Sequence, residues 1–178
     1  MVYYTYFKRM AKTFYSYEQI HQLICDNCEK LKEFNPDYIV AIGGGGFISA
    51  RIVRTYIDVP LLSVTVKLYD ENDKPGKVPV VHQWLDNNRI EELKGKKVLI
   101  VDEVDDSRVT LNFVCNKMKE DGITDLGVFV LQNKLKNGGK KAQLPEDVFY
   151  VSAQNIKDVW VVYPWDAEDI VNHNKLVL

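Results

Sequence analysis

Asp102, Glu103, Asp105 and Asp106 crowd into five positions at the end of an apolar, β-branched run, "KKVLIV" at 96–101. Ser107, Arg108 and Thr110 follow at once, and a helix-like pattern then covers 109–121 until Gly122 stops it. A buried strand that delivers so much negative charge to one turn, followed by groups suited to an anion, points to a ligand with two kinds of group. Asp102 and Glu103 can accept hydrogen bonds from a sugar diol, or face a Mg²⁺ ion directly or through water. Beyond them the chemistry reverses. Main-chain amides in a strand-to-helix turn, together with the helix N-terminus, cradle an anion. Ser107 and Thr110 add hydroxyl donors and Arg108 a charge. Acceptors for hydroxyls or metal, then donors for phosphate, make the profile of a ribose 5-phosphate site.

A second feature strengthens this. The run "YIVAI" at 38–42 enters Gly43-Gly-Gly-Gly46, and Phe47, Ile48, Ile52, Val53 and Tyr56 then suggest a helix. Glycine allows unusual dihedrals and lets main-chain amides approach a ligand closely. Beside an independent phosphate turn on a neighbouring strand, the run becomes a candidate pyrophosphate loop. Two other readings of the acidic turn are weaker. An apolar run ending in Asp-Glu also describes the Mg²⁺ side of a nucleoside triphosphatase, but that enzyme needs G-x-x-x-x-G-K-[ST]. "GGGGFISAR" has no Lys-Ser/Thr after its glycines. A merely solvated acidic turn would leave unexplained why the acids abut the apolar strand so closely.

The elements that must position these groups follow from the pattern of the chain. Its 178 residues, 46% apolar and 27% charged, suit one compact domain. A net charge of −2 gives no reason to expect nucleic-acid or membrane binding. No apolar run approaches the roughly 20 residues of a membrane span, and no secretory block opens the chain, so a soluble cytoplasmic protein is expected. Residues 1–15 read as an edge strand or arm. Ser16 and Gln19 form a capping box, which predicts a helix over 17–34 closed by Asn35-Pro-Asp. Strands are predicted at 38–42, 61–69, 96–101, 126–132 and 148–152, with a long polar loop at 70–79. The order predicts an α/β fold, a mostly parallel sheet flanked by helices. A small C-terminal appendage would come from "DVWVVYPWD". The three cysteines argue against a disulfide framework, and Cys25 and Cys28 lie on a helical stripe with Ile20, Leu23, Ile24 and Leu31, where a core role outweighs zinc or redox chemistry. His21, His82 and His173 are scattered, and Trp84 and Trp165 read as core.

"VLIVDEVDDSRVT" resembles the phosphoribosyl-pyrophosphate (PRPP) motif of the type I phosphoribosyltransferases. "VAIGGGGFISARI" is similar to that family's pyrophosphate loop, and "DVWVVYPWD" to the purine hood of its 6-oxopurine branch, in a fungal-like form. The motifs stand in the family's order from 38 to 166. The resemblance implies one domain over 1–178, with a core at about 16–152 and a hood at about 153–178 joined by the N-terminal arm. It implies that Asp102 and Glu103 hold the ribose hydroxyls, with Mg²⁺ alongside, and that Asp106 is the catalytic aspartate near N7 of the purine, acting as general base or stabilising the developing charge. Asp106, Ser107, Arg108, Val109 and Thr110 would wrap the 5-phosphate, with Asp105 in the same PRPP-binding set, and Gly44, Gly45 and Gly46 would hold the pyrophosphate. Gly44 and Gly45 match the position of a non-proline cis peptide.

Lys134 in "LQNKLK" matches the lysine that donates to the 6-oxo group, Trp160 would stack on the base, and the Val161 main chain would read its edge. Asp166 matches a hood acid associated with a second metal or the exocyclic position. Tyr69 would open a mobile loop over 69–83, although Leu68 precedes it where the family has serine. Two other departures stand out. Gly44 replaces a basic residue, for which Arg51 or Arg54 could compensate, and Ser-Arg-Val-Thr replaces the common Thr-Gly-Lys-Thr. The implied activity is purine salvage: transfer of 5-phosphoribosyl from PRPP to N9 of hypoxanthine, guanine or xanthine by a homo-oligomer, dimer or tetramer. Two rivals are a PRPP-sensing regulator without catalysis, which would be expected to have lost Asp106 or the hood, and a pyrimidine or adenine transferase, against which Trp160 and Lys134 argue.

Overall fold

A computed structural model describes residues 11–69 and 75–177. Strand β1 (Lys12–Phe14) leads into helix α1 (Tyr17–Phe34). The expected cap is formed: the Gln19 amide donates to Ser16 Oγ at 3.1 Å, and the Ser16 amide to Gln19 Oε1 at 3.0 Å. Ile20, Ile24, Cys28 and Leu31 bury one stripe of α1, which accounts for the cysteine spacing, and all three cysteines are free thiols.

Then follow β2 (Tyr38–Gly43), α2 (Gly46–Tyr56), β3 (Leu61–Tyr69), β4 (Pro75–Gln83), α3 (Asn87–Leu93) and β5 (Lys97–Asp105). The chain continues through α4 (Val109–Glu120), β6 (Asp125–Leu135), β7 (Phe149–Lys157), β8 (Trp160–Val162), a 3-10 turn (Pro164–Asp166) and α5 (Ile170–Asn174). Six strands form one sheet in the order β4-β3-β2-β5-β6-β7, parallel except for the β3–β4 pair. The central strands bury both faces. Ile39, Ala41, Leu99 and Val101 pack toward α1 and α2, whereas Val40, Ile42, Val98 and Ile100 pack with Val114 and Met118 of α4. Burial on both faces is why these strands read as unbroken apolar runs.

The structure departs from the sequence expectations in four places. Strand β5 does not stop at Val101. It carries Asp102 opposite Val130, Val104 opposite Gln132 and Asp105 opposite Asn133, because β6 runs alongside it. The acids thus sit on a rigid strand end, and the turn proper is Asp106–Arg108. Residues 75–83 are not loop but the antiparallel edge strand β4; the loop tip 70–74 and the Tyr69 side chain lie outside the described residues. Helix α3, capped by Asp86 accepting from the Arg89 amide at 2.9 Å, was not expected. Finally, β7 stays in the main sheet through Lys157, past residue 153, so the hood segment starts after it.

That hood is a two-stranded parallel sheet in which β1 pairs with β8, Lys12 facing Trp160 and Phe14 facing Val162. Buried His173 of α5 meets the Tyr15 carbonyl at 2.8 Å, whereas His21 and His82 are exposed. Tyr163 fastens the hood to the core. Its hydroxyl is shared between the Glu103 carbonyl, 2.9 Å away, and Gln132 Oε1, and Trp165 stacks on its ring at 4.5 Å.

Candidate active site

All three motifs converge at the carboxyl ends of the parallel strands, where an open α/β sheet binds its ligands. The glycine loop lies directly on the acid pair. A Cβ on Gly45 would stand 2.2 Å from Glu103 Cδ, and one on Gly46 would stand 2.6 Å from the Val101 carbonyl oxygen. Only glycine lets the start of α2 press so closely on β5. Gly44 faces open space, and the cis peptide joins Gly43 to Gly44, one bond before the position expected. Neither Arg51 nor Arg54 supplies the charge missing from this loop. Arg51 reaches Thr55 Oγ1 at 3.3 Å, while Arg54 donates to the Val59 carbonyl at 3.0 Å and faces Asp58, toward the far end of α2.

Asp102 is buried and accepts from the Glu103 amide at 2.9 Å. Burial, then the adjacent Glu103 charge, raises its carboxyl well above the ordinary value. Glu103 Oε2 is buried with no hydrogen-bond partner among the described residues. Asp166 sits on the 3-10 turn, its carboxyl raised by desolvation and then by Glu103. Among the described residues Asp102, Glu103 and Asp166 do not converge on a single point as a metal cluster. Any cation here would need ligand or water oxygens as well.

The phosphate turn holds a surprise. Arg108 adopts the left-handed backbone, φ 68°, and caps α4. Its guanidinium does not line the turn as expected. Nε and Nη2 both donate to Asp105 Oδ2, at 2.9 and 2.7 Å, and the group lies over the Tyr150 ring at 4.9 Å. Asp105, 1% exposed, also accepts from the Tyr150 hydroxyl at 2.9 Å, so both charges of this expected ligand set are spent inside the protein. Burial, then the Asp105 charge, pushes the Tyr150 phenol up, which keeps it a donor. What remains for an anion is the first-turn amides of α4, which no helix can pair internally, with the Ser107 and Thr110 hydroxyls.

Lys134, 4% exposed, lies near the end of β6 with its ammonium 3.0 Å from Asp106 Oδ2 and 5.7 Å from the centre of the Trp160 ring. Residues from β6, the turn and the hood thus meet at one edge. Lys136 joins them, bridging Asp106 Oδ1 and, at 2.7 Å, Asp158 Oδ1. Burial works to raise the Asp106 carboxyl, but hydrogen bonds and charge from Lys136 and Lys134 outweigh it and hold it below its ordinary value. Asp106 is therefore an anion at neutral pH. Val161 is buried with its backbone in the β1–β8 ladder.

Lys136, Asp158, Tyr163 and Gln132 escaped the sequence reading. Only Lys136 left a signal, two residues beyond Lys134 and so on the same side of an extended strand.

The chain is 38% identical to hypoxanthine-guanine phosphoribosyltransferase of Schizosaccharomyces pombe, over 94% of this chain and 95% of that one. It is 38% identical to xanthine phosphoribosyltransferase 1 of Saccharomyces cerevisiae, over 93% and 94% respectively. Among solved structures, a hypothetical protein from Neisseria gonorrhoeae with bound ppGpp superposes with a TM-score of 0.84 at 40% identity, covering 94% of this chain and 96% of that one. The phosphoribosyl transferase domain matches residues 14–168, a span holding the glycine loop, the acidic strand end and strand β8 of the hood. The chain is a member of the phosphoribosyl transferase domain family.

Proposed function

We propose that this enzyme transfers 5-phosphoribosyl from PRPP to N9 of a 6-oxopurine, hypoxanthine or guanine, with xanthine the third candidate, releasing pyrophosphate. One observation carries the reading: Lys134 stands between the Asp106 carboxylate and the Trp160 ring, which is a donor, an anion and a stacking face for one planar base. Lys134 donates to the 6-oxo oxygen, Trp160 stacks, and the Val161 main chain reads the edge. Asp106 faces N7 as an anion and stabilises positive charge developing in the base. Asp102 and Glu103 accept from the ribose hydroxyls, the turn from Asp106 to Thr110 holds the 5-phosphate, and the amides of Gly44, Gly45 and Gly46 hold the pyrophosphate. The ppGpp bound to the Neisseria relative supports a guanine ligand, since guanine presents the same 6-oxo group.

The unpartnered Glu103 Oε2 and buried Asp102 fit a hard divalent cation such as Mg²⁺, with Asp166 nearby in the same field. When bound, Mg²⁺ supplies neutralisation of charge on the leaving pyrophosphate. Exposed Phe47 and Ile48 beside the glycine loop support association of copies through that face, and three free thiols suit the reducing cytoplasm.

A pyrophosphate-release assay with PRPP, Mg²⁺ and each base tests the reading. Turnover is expected with hypoxanthine and guanine, and adenine, whose 6-amino group offers no acceptor to Lys134, is expected to react several orders of magnitude more slowly. Turnover with adenine alone, or with no 6-oxopurine, would refute it.

A pH dependence follows from Asp102. Its carboxyl is raised in the folded protein, so it is protonated more readily there than in the unfolded chain, and ionising it at neutral pH costs stability. Binding of Mg²⁺·PRPP draws that proton off. Affinity is therefore expected to tighten with rising pH, by up to about tenfold per unit, until the raised value is passed. Calorimetry in buffers of different ionisation enthalpy reads the released proton, and Asp102→Asn should abolish the release.

A further inference from the structure

Past β6 the chain runs "KNGGKK", 136–141. Gly138 and Gly139 both take left-handed backbone, φ 87° and 85°, and the Gly139 amide donates to the Lys136 carbonyl at 3.0 Å. A Cβ disfavours that conformation, so the glycine pair permits a tight reversal. The reversal returns Lys140 to the phosphate turn. Its ammonium donates to three main-chain carbonyls: Asp105 at 2.6 Å, Asp106 at 2.9 Å and Lys134 at 2.6 Å. The Asp105 carboxylate lies 3.5 Å away, and the side chain is 10% exposed. An ammonium has three donors, and backbone takes all of them, so Lys140 is not a ligand-binding charge.

The carbonyls it chooses are informative. Parallel pairing of β5 with β6 ends at Asp105 opposite Asn133. Asp106 and Lys134 come next: Asp106 leaves β5, whereas Lys134 stays in β6, paired with Ile156 of β7 but no longer with β5. One enters the turn that takes a 5-phosphate and the other carries the ammonium that reads a base. No main-chain pairing fixes the distance between those tasks, yet both ends of one nucleotide must be held in register.

We infer that Lys140 is a positioning residue that continues the β5–β6 ladder with a single ammonium, locking the phosphate turn to the base-reading end of β6. The inference rests on the ribosyl-transfer reading above. Misplacement of reacting groups by about 1 Å costs on the order of a hundredfold in rate, so a staple at this junction acts on turnover as well as on the fold.

Steady-state kinetics on the full chain test it, varying PRPP and hypoxanthine in turn. Lys140→Met is expected to raise KM for PRPP about tenfold and to lower kcat about tenfold, while Lys157→Met, a surface lysine of β7, changes either by less than about twofold. Wild-type kcat and KM in Lys140→Met, whatever its melting temperature, would overturn the inference, since a purely structural staple lowers Tm and leaves the constants of the folded enzyme alone. An equal effect from Lys157→Met would overturn it too, because bulk charge would then suffice. If Lys140→Met does not fold, Lys140→Arg decides. A guanidinium keeps the charge but cannot aim one centre at three carbonyls, so a raised KM for PRPP supports the staple and a wild-type KM overturns it. No turnover by the unaltered chain would sink the functional reading itself, and this inference with it.

Discussion

Asp106→Asn is expected to lower kcat for nucleotide formation by about 10²–10⁴-fold, the range typical of a lost catalytic acid or base, while PRPP still binds. Asparagine keeps the shape and one acceptor oxygen of the original side chain but removes its charge. That charge is well supported in the intact enzyme, where Lys134 and Lys136 sit on the two carboxylate oxygens. With Asp106 held below its ordinary value, the group stays ionised above the unfolded carboxylate pKa of about 4, and the stability it contributes is lost only as pH falls through its folded value. Because the side chain is 42% exposed, solvent screens much of that contribution to stability, and the main effect of the substitution falls on chemistry. In the proposed reading the 5-phosphate is gripped by main chain and hydroxyls, so PRPP binding is expected to survive. Stopped-assay kcat together with equilibrium PRPP binding separates the two. A variant that binds PRPP and turns over like the wild type would remove Asp106 from the mechanism.

How much of this could be read from the sequence depends on whether local or distant partners decide. The glycine run, the capping box of α1 and the doubly buried strands β2 and β5 are legible because their causes are local: dihedral freedom, reciprocal cap hydrogen bonds and unbroken apolar runs. The end of β5 was misjudged because nothing in "DEVD" favours extended backbone. Its pairing with β6 does, through partners such as Val130 and Gln132 about thirty residues away. Strand β4 was hidden for a similar reason. "PGKVP" has loop composition, and an edge strand tolerates such residues because one side of it needs no partner. Position alone assigns Asp105 and Arg108 to the ligand, but the structure turns them on each other and on Tyr150. Spacing along a strand shows which residues share its end. It cannot show which of them are already satisfied by a neighbour three residues away.

Lys134→Met is expected to remove base selectivity along with most of the activity. Lys134 lies against both Asp106 and the Trp160 face, and a preorganised donor of this kind is worth about 10²–10³ in rate when deleted. Methionine fills a similar volume, so the hydrophobic setting is kept while the donor is lost. The loss should fall unequally. Hypoxanthine and guanine lose a hydrogen bond to their 6-oxo oxygen as well as support for Asp106, whereas adenine loses only that support and should fall less, so the ratio of kcat/KM between them should shrink accordingly. Lys136→Met provides the contrast. Lys136 also pairs with Asp106 but spends its other contact on Asp158, so its removal frees the carboxylate without touching Lys134, the proposed base-reading donor. Lys136→Met is therefore expected to slow all bases together and to leave the hypoxanthine-to-adenine ratio intact. If Lys134→Met also lowered both bases equally, Lys134 would be only a counterion for Asp106, and specificity would have to come from the hood backbone at Val161.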